Sequence, residues 1–402
     1  MSKAIKQENK YCAHNYLPLP VVLTHGKGVW LYDEDGKKYL DMMSAYSAVS
    51  HGHSHPDLLE TLKDQASKLA ITSRAFHTDK LGPFLEKLCH LSGLDVALPM
   101  NTGAEAVETA IKAARLWGYN VKNIPENQAE IIVANGNFHG RTTTIVGFSS
   151  EEEYKRGFGP FTPGFKLVDF GNAQDFADAI TPNTCAILIE PMQGEAGIII
   201  PPKGFLAELR KICDENNVLL ILDEIQAGLG RTGKMFAFEH DGILPDGLIL
   251  GKALGGGMMP VSAFIATKEI MDQFTPGTHG STFGGNPLAA AIGLRALELL
   301  EEEDLVAKSD ELGTYLLDQL RGINSPLISE VRGSGLWIGV DFDPTKVSAR
   351  NVCERLQDKG ILSKETHETV VRFAPPLVIE KQEIDWTLDM FRETLRDIEE
   401  SL

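Results

Sequence analysis

The stretch LLILDEIQAGLGRTG (residues 219–233), followed by LILGKALGGG (248–257), decides how this chain reads. Val218 to Leu222 and Leu248 to Leu250 are short, continuously aliphatic runs bounded by turn residues or by a charged group. That is the pattern of strands buried on both faces of a parallel sheet. Ligands of open α/β sheets sit outside the carboxyl ends of the strands. Asp223 closes the first run and Lys252 follows the second, so an acid and an amine meet at one sheet edge. A surface ion pair is the competing reading, but a lysine beside a glycine at a buried strand end has few structural uses. An amine that holds an aldehyde, with a carboxylate that keeps a pyridine nitrogen protonated, is the pair that pyridoxal phosphate requires.

Length and texture set the architecture. The 402 residues exceed one ordinary domain. Up to about residue 300, aliphatic strands (131–134, 186–190, 218–222, 248–250 and 261–266) alternate with helices, which predicts a mostly parallel, helix-covered sheet. Residues 51–300 are read as this large α/β domain and 301–402 as a smaller α+β domain, with residues 1–50 packing against the smaller one. A net charge of −18, from 38 basic and 56 acidic residues, argues against nucleic-acid and anionic-membrane partners. The N-terminal residues MSKAIKQENKYCAHNY carry neither an apolar signal core nor an Arg/Ser-rich transit pattern, so a cytoplasmic location is expected. The five cysteines (Cys12, Cys89, Cys185, Cys213, Cys353) are scattered, with no C-x-x-C, and predict reduced thiols rather than disulfides or a zinc site.

Three further segments bear on chemistry. In PMNTGAEAVETAIKAARLWG (99–118), small residues precede apolar positions at helical spacing, so free amides at the helix start could cradle a phosphate; an ordinary capped helix is the plainer alternative. GLGRTG (228–233) satisfies G-x-G-x-x-G, but DEIQA separates it from the strand and no helix opens after it, which argues against a dinucleotide site. HGHSH (51–55) could hold a metal on a strand, yet Pro56 and the helical LLETLKDQASKLA make it a turn into a helix, and no metal is expected.

The order and spacing of HNYLPLPVVL (14–23), SAYSAVSHGHSHP (44–56), MNTGAEA (100–106), NFHGRT (137–142), EPMQGEAG (190–197), LDEIQAGLGRTG (222–233), GKALGGG (251–257), HGSTFGGNPLA (279–289) and RFAPPL (372–377) carry a resemblance over nearly the whole length. The chain resembles the class III (fold type I) pyridoxal phosphate aminotransferases, and within them the ornithine δ-aminotransferases. The resemblance implies that Lys252 anchors the cofactor and Asp223 partners its pyridinium. It implies that Gln226 meets the ring oxygen, Phe138 stacks on the ring, and Gly103 and Ala104 give amides to the phosphate. Ser281 and Thr282 are implied as hydroxyl donors, Thr282 toward the cofactor of a neighbouring subunit, so a homodimer is expected.

For the substrates, L-ornithine and 2-oxoglutarate, the resemblance implies Arg141 as the clamp on the ornithine α-carboxylate, with Tyr16 and Tyr46 shaping its α-amino end. Arg372 is implied to hold the α-carboxylate of glutamate, and Glu195 to pair with Arg372 when ornithine binds. His139, Met258 and Met259, and SHGH (50–53) depart from the family pattern and are expected to touch none of the cofactor roles. Another ω-aminotransferase on the same scaffold, or a pyridoxal-binding protein without catalysis, remain the alternatives.

Overall fold

The structure, a computed structural model, describes residues 2–401. Near the N-terminus, β1 (Leu23–Lys27), β2 (Trp30–Asp33) and β3 (Lys38–Asp41) form an antiparallel meander. The central sheet holds β4 (Val96–Met100), β5 (Glu130–Ala134), β6 (Phe165–Val168), β7 (Thr184–Ile189), β8 (Leu219–Asp223), β9 (Gly247–Leu250) and β10 (Ser262–Ala266). Their spatial order is β4-β10-β9-β8-β7-β5-β6.

As the aliphatic runs predict, β6, β5, β7, β8 and β9 are parallel. Every residue of β7, β8 and β9 is buried. β10 instead runs antiparallel to both β9 and β4. Residues 251–261 between β9 and β10 contain only one short turn, Lys252–Gly255, too little chain for the crossover that a parallel return needs. β4 and β6 are the two edge strands, absent from the expected set. Pro99 lies within β4, a position tolerated because an edge strand leaves one side of its backbone unpaired.

The helix Gly103–Asn120 packs one face on the sheet through Val107, Ala110, Ile111, Ala114 and Trp117, spaced three or four apart as a core-facing stripe demands. The helix Pro287–Glu302 leads into the C-terminal region, where β11 (Ile328–Gly333), β12 (Ile338–Phe342), β14 (Lys364–Thr366) and β15 (Val370–Phe373) form a third sheet in the order β11-β12-β15-β14. β13 (Ile361–Leu362) leaves that sheet and pairs parallel with β3, Ile361 opposite Leu40. The N-terminal meander and the C-terminal region thus share a sheet.

Two stretches of backbone are tightly constrained. Ser44, Ala45, Tyr46 and Ser47 all have positive φ (45°, 47°, 58° and 71°), one left-handed helical turn built without glycine. For L-residues this costs roughly 1–2 kcal/mol each, so the surroundings must hold the turn in place. The second is a backbone-to-backbone joint. A Cβ on Gly335, whose φ is +56°, would lie 2.5 Å from Gly233 N, and a Cβ on Gly313 would strike the backbone of Gly335 itself. The loop 228–233, the helix Leu305–Arg321 and the bend before β12 therefore touch through bare glycine backbone. Gly313→Ala should destabilise the protein by about 1–3 kcal/mol through overpacking, seen as a lower urea midpoint with unchanged slope; an unchanged midpoint would contradict the close approach.

Candidate active site

Because β8 and β9 are adjacent and parallel, their carboxyl ends open on the same edge. Asp223, the last residue of β8, and Lys252, two residues past β9, both line a cavity of about 190 Å³ there. Gly103, Ala104, Phe138 and Gln226 line it too, so these six expected positions come together from separate segments of the chain.

Each is placed by local structure. Thr102 caps the helix Gly103–Asn120: its Oγ1 accepts from Glu105 N at 3.3 Å, and Glu105 Oε2 accepts from Thr102 N at 2.7 Å. This capping box satisfies the amides of Thr102 and Glu105 and leaves those of Gly103 and Ala104 without an intrahelical partner. A Cβ on Gly103 would meet Ile225 Cδ1 at 2.9 Å, so glycine is what lets the helix start approach the cavity wall. Lys252 sits at φ +42°, just after Gly251, and this kink turns the chain away from β9 at the cavity floor. Burial pushes its ammonium below the ordinary value, against the opposing pull of Glu195, Asp223 and Glu190.

Asp223 is 4 % exposed and its charge is matched locally. Its Oδ1 accepts from Ile225 N at 3.0 Å, and its Oδ2 lies 2.7 Å from His139 Nδ1. The expectation that His139 stands apart from the cofactor roles is therefore corrected: it is the ionic partner of Asp223, from a position 84 residues away in sequence. Burial opposes protonation of His139, but the bond to Asp223 outweighs it and raises its pKa. Glu190, just beyond β7, accepts from Phe138 N at 3.0 Å and fixes the segment that carries Phe138 and His139. Burial pushes Glu190 up to about 7, with Asp223 adding to the rise and His139 opposing it. The sheet-edge rule that singles out Asp223 applies equally to Glu190, which sequence reasoning missed. Met258 and Met259 pack against Leu58 and the helix Pro287–Glu302, away from this cluster.

Beside the cavity lies a second charged group. Arg372, 2 % exposed, pairs through Nη2 with Glu195 Oε1 at 2.9 Å. Gln226 links the two, donating from Nε2 to Glu195 at 3.3 Å and accepting from Arg372 Nη1 at 3.2 Å. Thr366 completes the bracket, accepting from Arg372 Nη2 and donating to the Glu195 carbonyl at 2.6 Å. Burial works against the Glu195 carboxylate, but Arg372 and Lys252 outweigh it and its pKa falls below the ordinary value.

Tyr46 stands with its ring centroid 5.7 Å from the Arg372 guanidinium. Arg141 has no carboxylate partner among the described residues; its guanidinium lies 3.9 Å from the ring centroid of Tyr154 and 5.4 Å from that of Phe138. Nothing in the local sequence around Tyr154 marks it, since the contact depends on where the short helix Glu152–Lys155 is placed. Of the seven expected positions outside the cavity lining, Glu195, Arg372, Tyr46 and Arg141 adjoin it through Gln226 and Phe138, whereas three lie apart from it. Tyr16 is 75 % exposed, and Ser281 and Thr282 line a separate surface recess with residues 71–74. The histidines of HGHSH go to three different partners, His51 to the Ala296 carbonyl, His53 to Asp41 and His55 to Glu303.

The Asp223–His139 pair has a pH signature. A raised histidine contributes stability that is complete below its unfolded value of about 6.5 and fades as pH rises through the folded value. His139→Leu should therefore cost about 3–5 kcal/mol at about pH 6, by leaving a buried carboxylate unpaired, and measurably less at about pH 9. Equal losses at both pH values in urea unfolding would refute the charged pair.

The Aminotransferase class-III family profile matches residues 11–395. An ornithine aminotransferase of Bacillus subtilis is 58 % identical over 393 residues, 98 % of this chain and 97 % of that protein. One of Brevibacillus brevis is 57 % identical over 391 residues, 97 % of each. Among solved structures, an ornithine aminotransferase of Toxoplasma gondii, with pyridoxal phosphate in partial occupancy at its active site, matches at a TM-score of 0.98 and 42 % identity, covering 99 % of this chain and 94 % of that one. With a family match along almost its entire length and full-length relatives this similar, the chain belongs to the class III aminotransferases.

Proposed function

We propose that this pyridoxal phosphate-dependent aminotransferase takes the δ-amino group of L-ornithine and passes it to 2-oxoglutarate, yielding glutamate 5-semialdehyde and glutamate. The residues on the cavity fit the cofactor: unpartnered helix-start amides for a phosphate, a buried carboxylate for a ring nitrogen, an aromatic face and an amine. When bound, pyridoxal phosphate supplies an electron sink that lets a C–H bond next to the transferred amine ionise. Gly103 and Ala104 would hold the phosphate, Phe138 would cover the ring, Gln226 would face its oxygen, and Asp223, bonded to His139, would hold the ring nitrogen protonated. Lys252 would anchor the aldehyde, and its amine, once exchanged for that of ornithine and with its pKa depressed by burial, would be the base that takes a proton from ornithine Cδ.

The Arg372–Glu195 ion pair is the observation that carries the choice of donor. Ornithine brings one carboxylate, at the far end from the reacting amine, and presents a methylene chain near the cavity. A lone buried guanidinium facing that chain would be costly, and Glu195 neutralises it. Arg141, with no carboxylate partner among the described residues and its guanidinium over the Tyr154 ring, remains to clamp the α-carboxylate of ornithine, with Tyr46 and Tyr16 at its α-amino end. Glutamate and 2-oxoglutarate react at Cα and bring two carboxylates, one for Arg372 once Glu195 swings aside and one for Arg141.

The protein is read as a cytoplasmic homodimer, in which Ser281 and Thr282, off the cavity of their own chain, serve the cofactor of the partner subunit. The residues divide into a cofactor-binding domain at 51–300 and a small domain at 301–402 joined by residues 1–50; the β3–β13 pairing supports that grouping. No described helix is long and apolar enough to cross a membrane.

Mixing the holoenzyme with L-ornithine alone should bleach the visible cofactor band, and o-aminobenzaldehyde should trap the cyclised semialdehyde as a coloured adduct. Turnover of N-acetylornithine or 4-aminobutyrate with no response to ornithine would overturn the donor assignment. Glu195→Ala should leave Arg372 unpaired in the resting enzyme and raise the rate of the glutamate half-reaction relative to that of ornithine by about tenfold or more, a change of roughly 1.4 kcal/mol in the relative barriers. An unchanged ratio of the two rates in stopped-flow traces would remove Glu195 from donor selection.

A further inference from the structure

The left-handed turn Ser44–Ser47 carries Tyr46, whose ring centroid is 5.7 Å from the Arg372 guanidinium, and contains no glycine, so something must hold it. Two groups that the proposed chemistry leaves unused converge on it. Asp41, 4 % exposed, accepts at Oδ1 from Met43 N at 2.9 Å and Ser44 N at 2.8 Å, the two amides that open the turn. Its Oδ2 is 2.7 Å from His53 Nε2, in the middle of HGHSH. From the other side comes Arg231 of GLGRTG, fully buried. Its Nη2 donates to Ser44 Oγ at 3.3 Å and Ser50 Oγ at 3.1 Å, and its Nη1 to the carbonyls of Leu336 at 2.9 Å and Pro375 at 2.6 Å.

The turn is closed at both ends and tied to the substrate arginine. Ser50 Oγ donates to the Ser47 carbonyl at 3.3 Å. Ser44 Oγ donates to the Ala374 carbonyl at 2.7 Å, two residues beyond Arg372. Among the described residues no carboxylate bonds Arg231 directly; Asp41 supplies the negative charge that counters its burial. Tyr46, inside the turn, is thereby held over Arg372.

We infer that Asp41, His53 and Arg231 are positioning residues that clamp Ser44–Ser47 in its left-handed conformation and so aim Tyr46 at the Arg372–Glu195 pair. The clamp gives a structural use to two segments that resemble a metal motif and a nucleotide motif: each supplies one jaw. Its effect on the donor rests on the proposed reading of Tyr46 as a substrate contact.

Because glycine adopts positive φ freely, it should replace the clamp. In the holoenzyme, Asp41→Ala should speed amide hydrogen exchange of the 42–50 segment by about tenfold or more. It should raise KM for ornithine about fivefold or more while kcat stays within about twofold. Adding Ala45→Gly should bring KM back to near the wild-type value, and Asp41→Asn, which keeps an acceptor for the two amides, should do so in part. Where Asp41→Ala does not fold, His53→Ala carries the same test with smaller shifts. Unchanged exchange, or a further rise in KM on adding Ala45→Gly, overturns the clamp. Faster exchange with unchanged KM upholds it and overturns the reading of Tyr46, which Tyr46→Phe reports independently.

Discussion

A carboxylate buried at the end of a strand must be matched by charge and hydrogen bonds or take up a proton, and Asp223 sets that requirement for the whole site. His139 and the Ile225 amide meet it directly. The same low-dielectric edge gathers Glu190, which burial and Asp223 push toward neutrality, so two acids side by side need not both be ionised. The helix start at Gly103 faces the same space with unpaired amides. Sheet geometry brings these groups together, and electrostatics then decides which of them carry charge.

The central strands and the Asp223–Lys252 juxtaposition were legible because a continuously aliphatic run with a charged residue at its end has a single physical reading in a parallel sheet. Edge strands were not. β4 contains Pro99 and β6 contains Lys166, and short runs interrupted in this way look like loop. The direction of β10 was hidden as well, since residue patterning encodes burial and not the sense of the chain. The role of His139 is illegible because its partner lies on another strand end, and pairwise contact at that separation leaves no trace in periodicity. The turn Ser44–Ser47 was invisible for a different reason: without glycine, nothing in SAYS announces positive φ, and only the clamp around it makes that conformation tolerable.

Arg372 and Glu195 show how the C-terminal region meets the edge of the central sheet. β15 delivers Arg372, the segment after β7 delivers Glu195, and Gln226 from the segment after β8 bonds to both. Thr366 of β14 reaches back to the Glu195 backbone. The Arg372–Glu195 pair is thus built from two sheets at once, whereas Asp223 and Lys252 both follow strands of the central sheet.

Arg231 bonds to positions 44, 50, 336 and 375, and the β3–β13 bridge joins residues 40 and 361. During synthesis the central sheet can complete its strand order once residue 266 has emerged, but the full set of these long-separation contacts cannot close until residue 375 has followed. A nascent chain that has emerged only as far as residue 266 can carry the central sheet while the left-handed turn Ser44–Ser47 still lacks its partners at 336 and 375, and the N-terminal meander waits, unpaired on one edge, for residues 361–362.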